Sequence, residues 1–354
     1  MRLAPDRRRS TLVALALGAL ALLCVACGSA SNSSSPSTSS SSTTTTTTTT
    51  LPQPVKVNGT GTAGPLGSLG LVERVPVVPV PDGALTPPPD PPASAAAAHA
   101  LQVGFHQLGS GPDLLLIMGQ HGTMTWWDPQ LLNDLAQHYL VTIFDLPGVG
   151  YSGADPAATS VEALADDTAG LSAALGLVHP VVLGWGLGGE VALALAERHP
   201  GLVSKLVLVD TSAGGPTATP PAPAVSRLLA APDATTTELS RLYYPPGAEA
   251  ARRAWIGRVA ELAPDDIVAS ELSSQAALQA AFYADPSVAD GLPTIRVPAL
   301  VVTGEQDEIF PEADATELVA GLRTVHVLLL DNAGYAALFQ DEPRFVGAVE
   351  SFTG

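Results

Sequence analysis

The chain has 354 residues, 46% hydrophobic and 14% charged, with a formal net charge of −18 and a pI near 4.5. Such an acidic balance disfavours nucleic acid and anionic lipid surfaces as partners, since both repel it. The two cysteines, Cys24 and Cys27, lie close together near the N-terminus, so a folded domain further along must be held by its hydrophobic core rather than by disulfides.

Residues 1–26 have the pattern of an export signal, with Arg2, Arg7, Arg8 and Arg9 ahead of an apolar stretch over 11–26. That stretch is short for a membrane span. Val25-Ala26-Cys27-Gly28 resembles a bacterial lipobox, small residues before a cysteine that is lipidated, with Cys24 standing where leucine is usual. Cleavage there would leave Cys27 acylated and the protein tethered on the extracytoplasmic face of the cell membrane. An uncleaved N-terminal anchor is the alternative, and it gives the same location. Lysine occurs only at Lys56 and Lys205, and with the heavy use of Ala, Pro and Gly this composition fits a GC-rich bacterium such as an actinobacterium.

Residues 27–98 read as a tether. Residues 29–50 are almost all Ser and Thr, which cannot bury apolar surface. Residues 51–98, rich in Pro, Gly and Val, read as a stiff extended spacer.

From about His99 to Gly354 the pattern becomes that of an α/β domain. Leu114-Leu115-Leu116-Ile117-Met118, Leu140-Val141-Thr142-Ile143-Phe144, Val181-Val182-Leu183, Leu206-Val207-Leu208-Val209, Leu300-Val301-Val302 and Val325-His326-Val327-Leu328-Leu329-Leu330 are continuous apolar runs. Such runs mark strands covered on both faces, hence a mostly parallel sheet. Helical patterns fall between them at residues 161–176, 190–199 and 343–352. The first is opened by a capping box formed by Thr159 and Glu162. Residues 211–294 hold no strong strand and include helical stretches at 249–263 and 270–283, which predicts a helical cap inserted between two sheet strands.

Five segments, in order, resemble landmarks of the α/β-hydrolase fold. Gly119-Gln120, after the strand ending at Met118, matches the oxyanion-hole loop. Asp145-Leu146-Pro147-Gly148-Val149-Gly150-Tyr151-Ser152 matches a D-x-P-G-x-G-x-S loop. Gly184-Trp185-Gly186-Leu187-Gly188-Gly189 matches the nucleophile elbow, G-x-S-x-G, between a strand and a helix. Thr303-Gly304-Glu305-Gln306-Asp307 matches the acid loop. Asn332-Ala333-Gly334-Tyr335 matches the loop that normally carries histidine. The resemblance implies a central sheet flanked by helices, a cap, and a Ser–His–acid triad.

Two triad positions depart from it. Gly186 replaces the serine and Tyr335 the histidine, while Asp307 retains the acid. Glycine offers no nucleophile, and a tyrosine of ordinary pKa, about 10, is a poor base at neutral pH. Backbone donors at Gln120 and Leu187 remain in place for an oxyanion hole, with His121 and Trp185 beside them. His121 itself reads as an ordinary loop histidine. Glycine also suits the strained backbone of an elbow once chemistry is not required. The expectation is a degenerate enzyme that binds a small, partly apolar ligand or an envelope component, with neither cofactor nor metal. A divergent, esterase-like hydrolase using a non-standard nucleophile or a water activated by Asp307 is the alternative; Asp210, the family's other acid position, reads as structural.

Gly184-x-Gly186-x-x-Gly189 also spells the dinucleotide fingerprint G-x-G-x-x-G. It follows a strand and opens a helix, and Asp210 ends the next strand at a plausible distance for a ribose contact, so a nicotinamide-dinucleotide-binding protein is a second alternative. The same spelling at Gly148, Gly150 and Gly153 is a loop, because Pro156 prevents a helix from starting there. Trp126 and Trp127 are expected in the core.

Overall fold

The computed structural model describes residues 64–65, 71–77, 101–231, 233–262 and 269–354. The export signal, Cys27 and the Ser/Thr run lie outside these residues.

Nine strands form one sheet in the order β1-β2-β3-β5-β4-β6-β7-β8-β9. They are β1 (Gly64–Pro65), β2 (Leu71–Val77), β3 (Leu101–Gly109), β4 (Asp113–Ile117), β5 (Leu140–Phe144), β6 (Val181–Trp185), β7 (Lys205–Val209), β8 (Ala299–Gly304) and β9 (Val325–Leu330). β1, β2, β3 and β5 pair antiparallel, and from β5 through β4 to β9 every pair is parallel. All six strands expected from apolar runs are present.

The sheet starts earlier than the sequence suggested. β1 and β2 fall within the stretch read as a spacer, so the sheet does not begin at His99. In β2, Val75 pairs with Val103, and Val75 and Val77 are buried. Over residues 74–77 the strand alternates with a period of two: Val75 and Val77 are buried, whereas Arg74 and Pro76 are half-buried. A search for continuous apolar runs passes over such a strand, and it passes over β3 for the same reason.

Alternate side chains of the central strands feed two cores. Leu114, Leu116, Val141 and Ile143 pack on one face with Leu131 and Leu135 of α1 (Pro129–Leu135). Leu115, Ile117, Val182 and Leu206 pack on the other with α2 (Val161–Leu175) and α3 (Leu187–Arg198). α1 begins where Asp128 accepts a hydrogen bond from the Gln130 amide and Pro129 presets the first turn. α2 does not use the expected capping box. Ser160, not Thr159, accepts from the Ala163 amide at 3.2 Å, while the Thr159 hydroxyl donates to the Ala157 carbonyl. With two adjacent hydroxyls, residue spacing alone left the cap off by one position.

Between β7 and β8 lie α4 (Pro223–Leu229), α5 (Thr236–Tyr243), α6 (Glu249–Ala260), α7 (Ala269–Ala284) and α8 (Ser287–Gly291). Past β8 come α9 (Glu312–Gly321), α10 (Ala337–Gln340) and α11 (Glu342–Thr353). α6 is pinned to the sheet layer by Arg258, whose guanidinium forks onto Asp128, the residue that caps α1, with Nη2 donating at 2.5 Å. The chain reverses direction across the sheet at β4, whose neighbours are β5 on one side and β6 on the other. This is the switch point beyond which ligand crevices open at the strands' carboxyl ends.

Candidate ligand site and degenerate elbow

Gly186 links β6 to α3 with φ +56° and ψ −120°, a backbone that a residue with a Cβ adopts only under strain. Its amide donates to the Val209 carbonyl at 3.0 Å, and its carbonyl accepts from the Gly189 amide and the Thr211 hydroxyl. The elbow is thus fully built without its serine.

The neighbouring glycines serve packing. A Cβ at Gly184 would overlap the Gly188 backbone, one at Gly188 would overlap the Ile117 carbonyl, and one at Gly189 would lie 2.6 Å from Thr211. These approaches account for the fingerprint-like spacing. Asp210 is buried, and its Oδ1 accepts from the Gly304 amide at 2.9 Å, so it joins β7 to β8 instead of facing a ribose.

Tyr335 occupies the space above the elbow. Its ring stacks on Trp185 with centroids 4.6 Å apart, stacks on Phe310 at 5.9 Å and tilts against Tyr243 at 5.0 Å. Trp185 Nε1 donates to the Tyr335 carbonyl at 2.8 Å, fixing the loop. The Tyr335 hydroxyl would overlap a Cβ on Gly186, and lies 2.7 Å from where a Cβ on Gly119 would be. It therefore sits between the elbow and the loop that would form the oxyanion hole. Leu187, as the first residue of α3, has an amide with no partner inside the helix, and Gln120 follows Gly119 on the facing loop. Burial raises the Tyr335 hydroxyl well above its ordinary pKa, helped by Tyr243 and Asp307, so it is a neutral group here and not a base.

Asp307 lies in the loop after β8 and is buried. Its Oδ1 accepts from the Ile309 amide at 2.7 Å, and its Oδ2 has no hydrogen-bond partner. Burial pushes its carboxyl up to about 8, against the pull of the Ile309 and Phe310 amides. Asp210 is also raised, by burial and then by Asp307. His121 has φ +69° and is buried, with its amide donating to Gln275 Oε1 of α7 at 3.1 Å. Burial lowers its imidazole to about 4, so it is neutral near pH 7. The cap helix α7 meets the His121 loop through the bond to Gln275. Trp126 and Trp127 are buried in the core.

A cavity of about 470 Å³ opens under the cap. Pro220, Pro221, Leu229 and Ala230 form one wall, Ala276, Gln279, Ala280 and Tyr283 of α7 another, and Gln120, Ile309 and Phe310 the floor. Gly186 and Tyr335 are not among its lining residues. Behind α7, Gln279 Nε2 donates to Glu190 Oε1 of α3 at 2.6 Å, and Ser212 Oγ donates to the same oxygen at 3.3 Å. Glu190 is fully buried, which pushes its carboxyl up to about 8. Sequence reading missed Glu190, Gln279 and Tyr283. The available signal was one acid in the otherwise apolar helix 187–196, but an acid in a first turn is also what the helix dipole favours. Among the described residues, no group of three His, Cys, Asp or Glu is placed to hold a metal ion, and no helix is long and apolar enough to cross a membrane.

The profile of the alpha/beta hydrolase fold matches residues 106–342. Over 267 residues the chain is 28% identical to the pimeloyl-[acyl-carrier protein] methyl ester esterase of Aeromonas hydrophila subsp. hydrophila, spanning 72% of this chain and all of that one. An uncharacterised Mycobacterium tuberculosis protein is 39% identical over 119 residues, a third of either chain (34%). A thermophilic esterase from Thermogutta terrifontis superposes with a TM-score of 0.61 at 24% identity, covering 78% of this chain and 97% of its own. An alpha/beta hydrolase fold protein from Chitinophaga pinensis gives 0.63 at 22% identity, covering 82% and 99%. These two share the fold. The chain belongs to the alpha/beta hydrolase fold family.

Proposed function

We propose that this protein is a pseudoenzyme of its family: it binds a small, partly apolar ligand under the cap, or an envelope component, and does not carry out serine-type hydrolysis. The observation that carries this is the Tyr335 hydroxyl standing over Gly186, which both lacks a nucleophile and has no room for one. The cavity ends at Gln120 and Phe310, on the cap side of that plug. Its size falls within the roughly 300–1,000 Å³ of small-molecule sites. A hydrolase that activates water through Asp307 is the alternative. A carboxyl pushed up to about 8 is mostly protonated at neutral pH and is then a poor base, which argues against it.

The lipobox-like Cys27 and the export signal support a lipid-anchored, extracytoplasmic location, a proposal that rests on sequence. Incorporation of labelled palmitate into the wild-type chain and its loss in Cys27→Ala would support it, and no incorporation into the wild type would count against it.

The activity test is hydrolysis of short-chain p-nitrophenyl esters by the mature chain beside the double variant Gly186→Ser, Tyr335→His. The parent is expected at background and the double variant above it. Turnover well above background in the parent would overturn the pseudoenzyme proposal.

A further inference from the structure

We propose that the cap cavity selects an uncharged ligand, an apolar body with a neutral polar head such as an amide, and rejects the corresponding carboxylate. This deepens the ligand-binding proposal above and rests on it. The apolar lining includes Pro220, Pro221, Leu229, Ala276, Ile309 and Phe310, and among the described residues no Lys, Arg or His lines the cavity. Its polar lining consists of Gln120, Ser226, Gln279 and Tyr283, all neutral. A carboxylate moved from water into such a space meets no cation to replace its hydration, and the cost of that desolvation is large.

The surroundings add repulsion to desolvation. Gln279 is hydrogen-bonded to buried Glu190, and the floor residues Ile309 and Phe310 directly follow the Asp307 loop, with the Ile309 amide bonded to Asp307. Asp314 of α9 is buried and fixes the Thr219 amide, one residue before Pro220 in the cavity wall, at 2.8 Å. Glu190, Asp307 and Asp314 all act on the Tyr283 hydroxyl and raise its pKa, after burial as the main cause. Three acids therefore lie behind the lining. Each also has a carboxyl oxygen without a hydrogen-bond partner. At pH 7 Glu190 and Asp307 are mostly protonated and Asp314 is mostly ionised, so an anion entering the cavity meets no cation and one buried negative charge in a medium that screens it poorly. An amide of the same length faces neither penalty, and Gln120 and Ser226 supply a neutral donor and acceptor for its head.

The test uses three probes with one hydrocarbon body, octanamide, octanoate and octylamine, titrated calorimetrically into the full mature chain at pH 7. Octanamide is expected to bind at least about ten-fold more tightly than octanoate, and no more weakly than octylamine. Ala276→Trp, which fills the cavity from α7, is expected to abolish octanamide binding. Octanoate binding as tightly as octanamide would overturn the selectivity. Octylamine binding tightest would overturn it in favour of a cation site. Undiminished octanamide binding in Ala276→Trp would overturn the location. Heat from none of the three probes would instead overturn the ligand-binding proposal on which the selectivity rests.

Discussion

The hydroxyl of Tyr335 crowds the elbow at Gly186: a Cβ on Gly186 would overlap the hydroxyl oxygen. The two positions that the sequence resemblance singles out are therefore neighbours in space. The Tyr335 ring fills the volume over Gly186. Trp185, Phe310 and Tyr243 hold the ring on three sides. Filling the space avoids a void of the kind that destabilises a core.

Gly186→Ser alone should destabilise the protein by roughly 2–4 kcal/mol. It combines backbone strain at φ +56° with a clash against Tyr335. In a Tyr335→His background the steric part disappears, so the serine should cost only the strain, roughly 1–2 kcal/mol. Urea denaturation of the four proteins of this cycle measures the coupling. Additive effects would show that the hydroxyl and the elbow do not share space.

Stability should fall as pH rises from about 5 to 8. Burial raises Glu190 from 4.5 to about 8 and Asp314 from 3.8 to about 6, and it raises Asp307 as well. The folded state then holds protons that the unfolded chain has already released. The stabilisation is fully present below the unfolded pKa values and is lost as pH climbs through the folded ones. The loss should be on the order of 2 kcal/mol, or roughly 4–8 °C in a domain of this size. Glu190→Gln should flatten this dependence and raise the melting temperature at pH 8. An equal pH slope in wild type and variant would remove Glu190 from the account.

Cap docking should depend on Arg258. Its guanidinium, about one-third exposed (33%), forks onto Asp128, which is almost fully buried (3%) and also caps α1. Arg258→Ala leaves that carboxylate without its cation and should cost roughly 1–3 kcal/mol. Because α6 is the element released, proteolytic cleavage within residues 236–262 should speed up before global unfolding does. Cleavage at an unchanged rate would make the pair a passive contact.

What the sequence revealed follows from how each feature is encoded. The parallel strands were legible because both faces are buried, which writes Leu115, Val182 and Val207 as unbroken apolar runs. The elbow was legible because close backbone packing demands Gly184, Gly188 and Gly189 whatever the chemistry. The partnership of Tyr335 with Gly186 was not legible, since it joins residues far apart in the chain through a side-chain rotamer. Nor was the cavity, because its walls of Pro, Ala and Leu look like any loop or amphipathic helix until they face each other. Strand β2 was hidden by its alternation and by the Pro-rich sequence around it.

That hidden strand makes the choice of N-terminal boundary decisive. A chain beginning at His99 lacks β2, and with it the pairing along Val75↔Val103 and Val77↔Leu101. It also loses the hydrogen bond from Arg74 Nε to the Tyr151 carbonyl at 2.9 Å. Two buried valines account for roughly 3–6 kcal/mol of lost burial. β3 would become an edge, with free amides and carbonyls beside Val103 and Phe105, a template for pairing with another chain. The chain from His99 should therefore melt on the order of 10 °C lower than one beginning at residue 60, and should aggregate on concentration. Light scattering and thermal melts of the two compare them directly. Equal melting temperatures would mean that β2 adds nothing to the fold, and that the domain does begin at His99.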